Sequence, residues 1–211
     1  FEDVHVIGNE RNNSTVNGLT NYPTVVDPAD TEVNQAYLSY KGPLSTNLRY
    51  GRQVIIYDNH RFIGDVGWRQ NQQTFDAFSF VSTGLADTAF SFAHVTNVNR
   101  IFSEKNTTLG DVKMRGELLN VAYRGIKAGA LVGYGYLLDY APGQSLATTA
   151  SNKTLGLRFD GGTAIDSNKL LYTAEYAQQS AYKDGASTVD ANYLYGMLGI
   201  DITGIQFKFH Y

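Results

Sequence analysis

Apolar and polar residues alternate with a period of two along most of this 211-residue chain, as in strands with two chemically different faces. About eleven stretches carry the pattern, near residues 1–8, 32–41, 45–57, 73–83, 87–98, 113–125, 127–140, 153–163, 167–179, 189–201 and 205–211. Helical periodicity is nearly absent, so the expected fold is all-β. The connections constrain it further, because they alternate in length. Short ones at 41–44, 84–86, 125–126, 164–166 and 202–204 contain glycine, proline or polar turn residues and read as hairpin turns. Long ones at 9–31, 58–72, 99–112, 141–152 and 180–188 are rich in Asn, Ser, Thr, Asp and Gly. Tight turns at one end and long loops at the other predict an antiparallel up-and-down transmembrane β-barrel with periplasmic turns and extracellular loops. A soluble β-sandwich, which mixes connection lengths at both ends, is the alternative.

Composition agrees with a barrel and excludes several other classes. Hydrophobic residues make up 43% of the chain, enough to bury a substantial apolar surface. No run approaches the roughly 18 apolar residues of a membrane-spanning helix, and mean hydropathy is -0.27. Alternating strands conceal a membrane barrel from such averages. The absence of cysteine removes disulfides and thiolate metal sites, and a net charge of -3 gives no hint of nucleic acid. The 15 tyrosines suit positions with one dry and one wet side. No signal peptide opens the sequence, and residues 1–6 alternate like a strand interior, so the chain reads as mature or trimmed.

Face by face, 127–140 puts Ala130, Val132, Tyr134, Tyr136, Leu138 and Tyr140 on one side. Gly129, Gly133, Gly135 and Asp139 lie on the other, with Leu131 and Leu137. Leu170, Tyr172, Ala174 and Tyr176 oppose Thr173 and Glu175; Leu155, Leu157 and Phe159 oppose Arg158 and Asp160; Ile205, Phe207, Phe209 and Tyr211 oppose Gln206, Lys208 and His210. The apolar line is expected to meet lipid and the polar line water. In 45–57, Arg52 falls among the apolar Leu48, Tyr50, Val54 and Ile56, which requires a bulge, a snorkelling side chain or the opposite face assignment. Eleven strands would make the first and last both ascend, whereas a complete bacterial barrel has an even count and both ends in the periplasm. The aromatic end at Tyr211 points to an intact terminus, but the turn order carries more weight. The expectation is a single domain over 1–211 that is an incomplete section of a longer barrel.

One block is specific. The run from Tyr50 to Phe78 contains Gly51-Arg52-Gln53, Asp58-Asn59-His60-Arg61-Phe62-Ile63-Gly64, Gly67-Trp68-Arg69-Gln70 and Thr74-Phe75-Asp76-Ala77. It resembles the alginate-export family of Gram-negative outer-membrane porins, in which such elements follow in this order. Weaker echoes are Asn99-Arg100-Ile101-Phe102 and Leu171-Tyr172-Thr173-Ala174-Glu175-Tyr176. The resemblance implies a longer barrel, an outer-membrane location and passive passage of solutes. In the best-known members the solute is an anionic polysaccharide moving along an arginine-lined pore.

Passage of such a polymer needs several weak cationic sites in sequence. Arg49 and Arg158 qualify from their polar faces, Lys208 joins them on the polar face of the last strand, and Arg52, Arg61 and Arg69 come from the family block. Each could instead be tied to a wall carboxylate, with Asp76, Asp160 and Glu175 as partners. With 20 acidic against 17 basic residues, strong anion selectivity is not obvious. The segment "RFIGDVGWRQ" (61–70) reads as an irregular outer loop. Its glycines let the backbone approach the wall, Trp68 anchors it at the interface or in the mouth, and Arg61 and Arg69 pin it on the pore side.

His5, His60, His94 and His210 lack metal-ligand spacing and read as solvated or lumen-wall residues, and no cofactor is expected. Asn13-Ser14-Thr15, Asn106-Thr107-Thr108 and Asn152-Lys153-Thr154 match the glycosylation pattern but are loop composition in a bacterial membrane. The leading reading is therefore not an enzyme but a monomeric channel for anionic or neutral saccharides or other small solutes, surrounded by lipid bilayer and lipopolysaccharide. The alternatives are a plugged barrel whose loops bind a partner, and a rim hydrolase built on Asp58, His60 and Asp65.

Overall fold

The computed structural model describes residues 1–144 and 146–211; residue 145 of the expected connection 141–152 lies outside the described residues. Ten strands form one antiparallel meander: β3 (Ala36–Gly42), β4 (Thr46–Gln53), β5 (Thr74–Leu85), β6 (Thr88–Asn99), β7 (Asp111–Ile126), β8 (Gly129–Tyr140), β9 (Asn152–Ile165), β10 (Asn168–Ala181), β11 (Asp190–Ile202) and β12 (Ile205–His210). Every strand pairs with its neighbours in sequence, which leaves β3 and β12 as the two edges of an open sheet. The expected strand at 1–8 is not part of this wall. Only Glu2–Val4 (β1) is extended there, and it pairs with Asp30–Glu32 (β2) in a separate two-stranded ribbon. That correction makes the wall count even, with β3 and β12 both meeting the long-loop end.

The tight turns lie where the sequence places them, within two or three residues. Several use non-glycine residues in the left-handed region, among them Leu44, Ser45, Asp87 and Asp166. The last turn has φ of 51° at Thr203 and 91° at Gly204, the paired positive values that match a two-residue hairpin to strand twist. A single-turn helix, α1 (Ala147–Ala150), sits in the connection between β8 and β9.

One face of the sheet is covered and the other is not. The covered face carries Ala77, Ala93, Val95, Val98, Met114, Leu118, Ala122, Val132, Tyr134, Tyr136 and Ala177, packed under Ile55 and Ile63 of the connection 54–73. The opposite face exposes Leu38, Tyr50, Phe78, Leu119, Leu155, Leu157, Tyr176, Leu194, Leu198 and Phe207, spread over nearly every strand. An apolar surface so extended is a lipid-facing wall rather than scattered exposure.

In β9, β10 and β12 the apolar line faces outward, as expected. In β8 the assignment is reversed. Tyr134 and Tyr136, 5% and 2% exposed, point to the covered side. Gly133 and Gly135 face outward, where the side chains of Leu157 and Leu155 from β9 lie over them. The physical reason is the loop beneath, which supplies apolar partners on the inner side.

Two substitutions test this assignment. Leu157→Arg on the outer face is expected to destabilise the intact barrel in lipid vesicles by about 2–4 kcal/mol if it lies near the midplane. Leu118→Ala on the inner face is expected to cost about 2–5 kcal/mol through its cavity. Denaturant unfolding from vesicles reads both, and a silent Leu157→Arg would mean the outer face is wet.

Candidate pore-lining site

Residues 54–73 leave β4 and turn back over the inner face instead of extending outward. The first turn is closed by the Tyr57 amide donating to the Ile63 carbonyl at 3.1 Å, the His60 amide to Tyr57 at 3.1 Å and the Arg61 amide to Asn59 Oδ1 at 3.2 Å. Asp58 and His60 take left-handed φ of 52° and 63° to make it. Gly64 is required there, since a Cβ would lie 2.9 Å from the His60 Cβ.

The second turn is organised by Asp65, which accepts from Gln72 Nε2 at 2.8 Å and the Gly67 amide at 3.2 Å, with His60 Nδ1 at 3.3 Å. Burial pushes the Asp65 carboxyl up, but the hydrogen bonds from Gln72 and the backbone, together with His60, outweigh it and hold the group below its ordinary value.

The first turn is seated by rings and one ion pair. Tyr57 stacks on Tyr136 at 5.9 Å, and Phe62 sits 5.6 Å from Tyr134, 6.4 Å from Tyr136 and 5.7 Å from Tyr193. Asp58 accepts from Arg158 Nη2 and from Asn120 Nδ2, both at 2.7 Å. Arg158 Nε also donates to Asp160 at 2.5 Å, and Asp160 accepts from Thr173 at 3.0 Å. Next to them Tyr134 donates to Glu175, a buried carboxylate, at 2.7 Å.

The second turn faces away from the wall and grips the N-terminal segment. Arg69 pairs with Asp27 at 3.2 Å, the Gln70 amide donates to Asp27, Asn71 donates to the Pro28 carbonyl and the Gln72 amide to Glu2. Arg69 therefore pins loop to loop rather than loop to pore. Trp68 is 76% exposed, covered on one side by the Arg69 guanidinium at 4.1 Å. It lines a cleft of about 720 Å³ with His60, Phe62 and Asp65.

The expected pore cations separate into two groups. Arg158 is bound to Asp58 and Asp160, Arg69 to Asp27, and Arg52 to Asp76 at 2.9 Å. Arg52 and Asp76 moreover lie on the outward line with Tyr50 and Phe78, near the loop end of the wall, where Arg52 also donates to the Val33 carbonyl. Both therefore sit on the outward face of the sheet, not on the inner face where pore-lining residues are expected. Gly51, at φ 127°, marks the backbone irregularity beside Arg52.

Arg49, Arg61 and Lys208 have no carboxylate within 4 Å among the described residues. Arg49 lies on the inner face over the Tyr37 ring at 4.9 Å, beside a cleft of about 370 Å³ shared with Asn47, Gln53 and Tyr57. Arg61 lies over Tyr193 at 4.6 Å. Lys208 shares the inner line of β12 with His210.

Sequence reasoning missed Asp58 as the partner of Arg158, and it missed the ring cluster. A signal was available in Ile55-Ile56-Tyr57 and Phe62-Ile63, too apolar for an outer loop. For the rim-hydrolase alternative, His60 and Asp65 do come together, yet Asp58 is engaged elsewhere. No hydroxyl is hydrogen-bonded to His60 among the described residues.

The depressed Asp65 gives a signed pH dependence. Its contribution to holding the second turn is complete above the ordinary carboxylate range and is lost as pH falls through its lower folded value. Limited proteolysis of the loop from pH 7 to pH 3 is expected to accelerate at the acid end, and Asp65→Asn to show the faster cleavage already at pH 7.

A sequence profile for alginate export matches residues 1–210. No curated protein sequence matches. Among solved structures, OccAB2 of Acinetobacter baumannii superposes with a TM-score of 0.63 at 14% identity, covering 78% of this chain and 42% of that one. The outer membrane protein OpdK of Pseudomonas aeruginosa gives 0.59 at 14% identity, covering 78% and 43%. A BenF-like porin of Pseudomonas fluorescens gives 0.60 at 11% identity, covering 77% and 41%. The chain thus spans less than half the length of these three porins, and at such identity the likeness is one of fold. The up-and-down wall, its apolar outer face and the match over residues 1–210 agree: the chain belongs to the alginate export family of bacterial outer-membrane β-barrel proteins.

Proposed function

We propose that residues 1–211 form one domain, a section of the wall of a longer monomeric barrel that passes anionic or sugar-like solutes through the outer membrane. The observation that carries this reading is the division of the inner-face cations. Arg158 is consumed in seating the loop, while Arg49, Arg61 and Lys208 have no carboxylate within 4 Å among the described residues. Separate weak cationic sites favour passage of carboxylate-bearing solutes without trapping them. On the outside, the apolar wall meets bilayer and the polar residues at its loop end meet lipopolysaccharide.

The apolar seat of the loop favours a second reading, a lumen closed by residues 54–73. Planar-bilayer recording of the intact barrel separates them. The channel reading expects conductance, with anion preference reduced by Arg49→Gln or Lys208→Gln. A folded barrel that conducts only after residues 58–70 are deleted would support the plug and contradict the open channel.

A further inference from the structure

Aromatic rings form a continuous row across the inner face, running from the seated loop to the edge strand. Phe62 meets Tyr193 edge-on at 5.7 Å, Tyr193 lies parallel to Tyr195 with centroids 6.4 Å apart and planes within 6°, and Tyr195 adjoins His210 at 5.9 Å. Tyr193 and Tyr195 occupy alternate positions of β11, so they share its inner side; their partners on β10 are Ala177 and Glu175. The Tyr195 hydroxyl and His210 Nδ1 are 2.7 Å apart, which fixes the last two rings relative to each other. Arg61 at one end and Lys208 at the other have no carboxylate within 4 Å among the described residues. The Tyr193 hydroxyl is itself buried and has no hydrogen-bond partner among the described residues, so Tyr193 meets the lumen through its ring alone.

Tyr134, Tyr136 and Tyr193 hold Phe62 in the seat of the loop, whereas Tyr195 and His210 lie beyond it on the wall. We propose that Tyr193, Tyr195 and His210 are a stacking track for the pyranose rings of a linear oligosaccharide, with Arg61 and Lys208 as its flanking cations. The proposal rests on the channel reading and adds an uncharged component to recognition. One face of a pyranose is a sheet of C–H groups that packs on an aromatic plane by dispersion and the ring quadrupole, while its rim of hydroxyls meets polar atoms. Rings spaced along a strand give several similar weak contacts in a row. A polymer then moves from one to the next without a deep trap. Because stacking on a ring needs no charge on the ligand, the track engages neutral and anionic oligosaccharides alike, and a small carboxylate with no pyranose face engages the cations alone.

Current block of the intact barrel in planar bilayers tests this with three probes: a neutral linear hexasaccharide, an oligouronate of equal length and acetate. Both oligosaccharides are expected to block. Tyr195→Leu is expected to weaken both by about two- to tenfold, the loss of one aromatic contact, while Tyr195→Phe keeps most of the block. Lys208→Gln is expected to weaken only the oligouronate. Open-channel conductance of each variant reports its folding, and His210→Ala serves in place of Tyr195→Leu should that variant fail to insert. Conductance without block by the neutral hexasaccharide, or block indifferent to both ring substitutions, overturns the track and leaves the channel standing. Absence of conductance in the unmodified barrel overturns the channel reading, and the track with it.

Discussion

Everything inside this wall depends on how its inner face is covered. A strand sheet with lipid on one side must present something compatible with its interior on the other, and here the middle strands present Val, Met, Leu and Tyr. Water is a poor partner for that surface. The connection 54–73 supplies Ile55, Tyr57, Phe62 and Ile63, and its irregular backbone is tolerated because its turns close on themselves by hydrogen bonds. Once that seat exists, other features follow. The tyrosines of β8 point inward, Arg158 finds Asp58, and the loop's second turn is left facing the N-terminal ribbon.

Much of the wall was legible from period two and turn chemistry. Those signals depend on local geometry, and ten of the eleven expected strands appear with small shifts at their ends. The exception, residues 1–8, alternates well but has only β2 to pair with. Alternation alone also does not say which line faces lipid. In β9 and β10 the charged residues decided the matter, as Arg158, Asp160 and Glu175 had to avoid the bilayer. In β8 one line was apolar and the other mostly glycine and leucine, with Asp139 pointing the wrong way, and the tertiary position of the loop, tens of residues away in sequence, decided. Arg52 was flagged by its own pattern. It lies on the outward line beyond the apolar positions, neutralised by Asp76 and bonded to Val33.

The candidate site was read less well than the fold because charge type says nothing about pairing. Six cations had similar claims in the sequence. Three are tied to carboxylates, and one of those pairs, Arg158 with Asp58, joins residues a hundred positions apart. Of the other three, Arg49 lies over Tyr37 and Arg61 over Tyr193, with no carboxylate within 4 Å among the described residues. A guanidinium on a ring face is held in place yet keeps its hydrogen-bonding edge for a passing anion. The segment around Trp68 is tied instead to the N-terminal segment, through Arg69, Gln70, Asn71 and Gln72.

The seat of the loop is open to a direct measurement, because the chain contains no cysteine to interfere. Phe62→Cys and Tyr193→Cys place thiols at two side chains whose rings are 5.7 Å apart. In the assembled barrel a short bifunctional thiol reagent is expected to join them efficiently, and to join them poorly when Arg158→Ala removes the ion pair that holds the first turn. Absence of the cross-link with Arg158 intact, in a folded barrel with both thiols reactive, would place the loop outside the lumen and contradict the account.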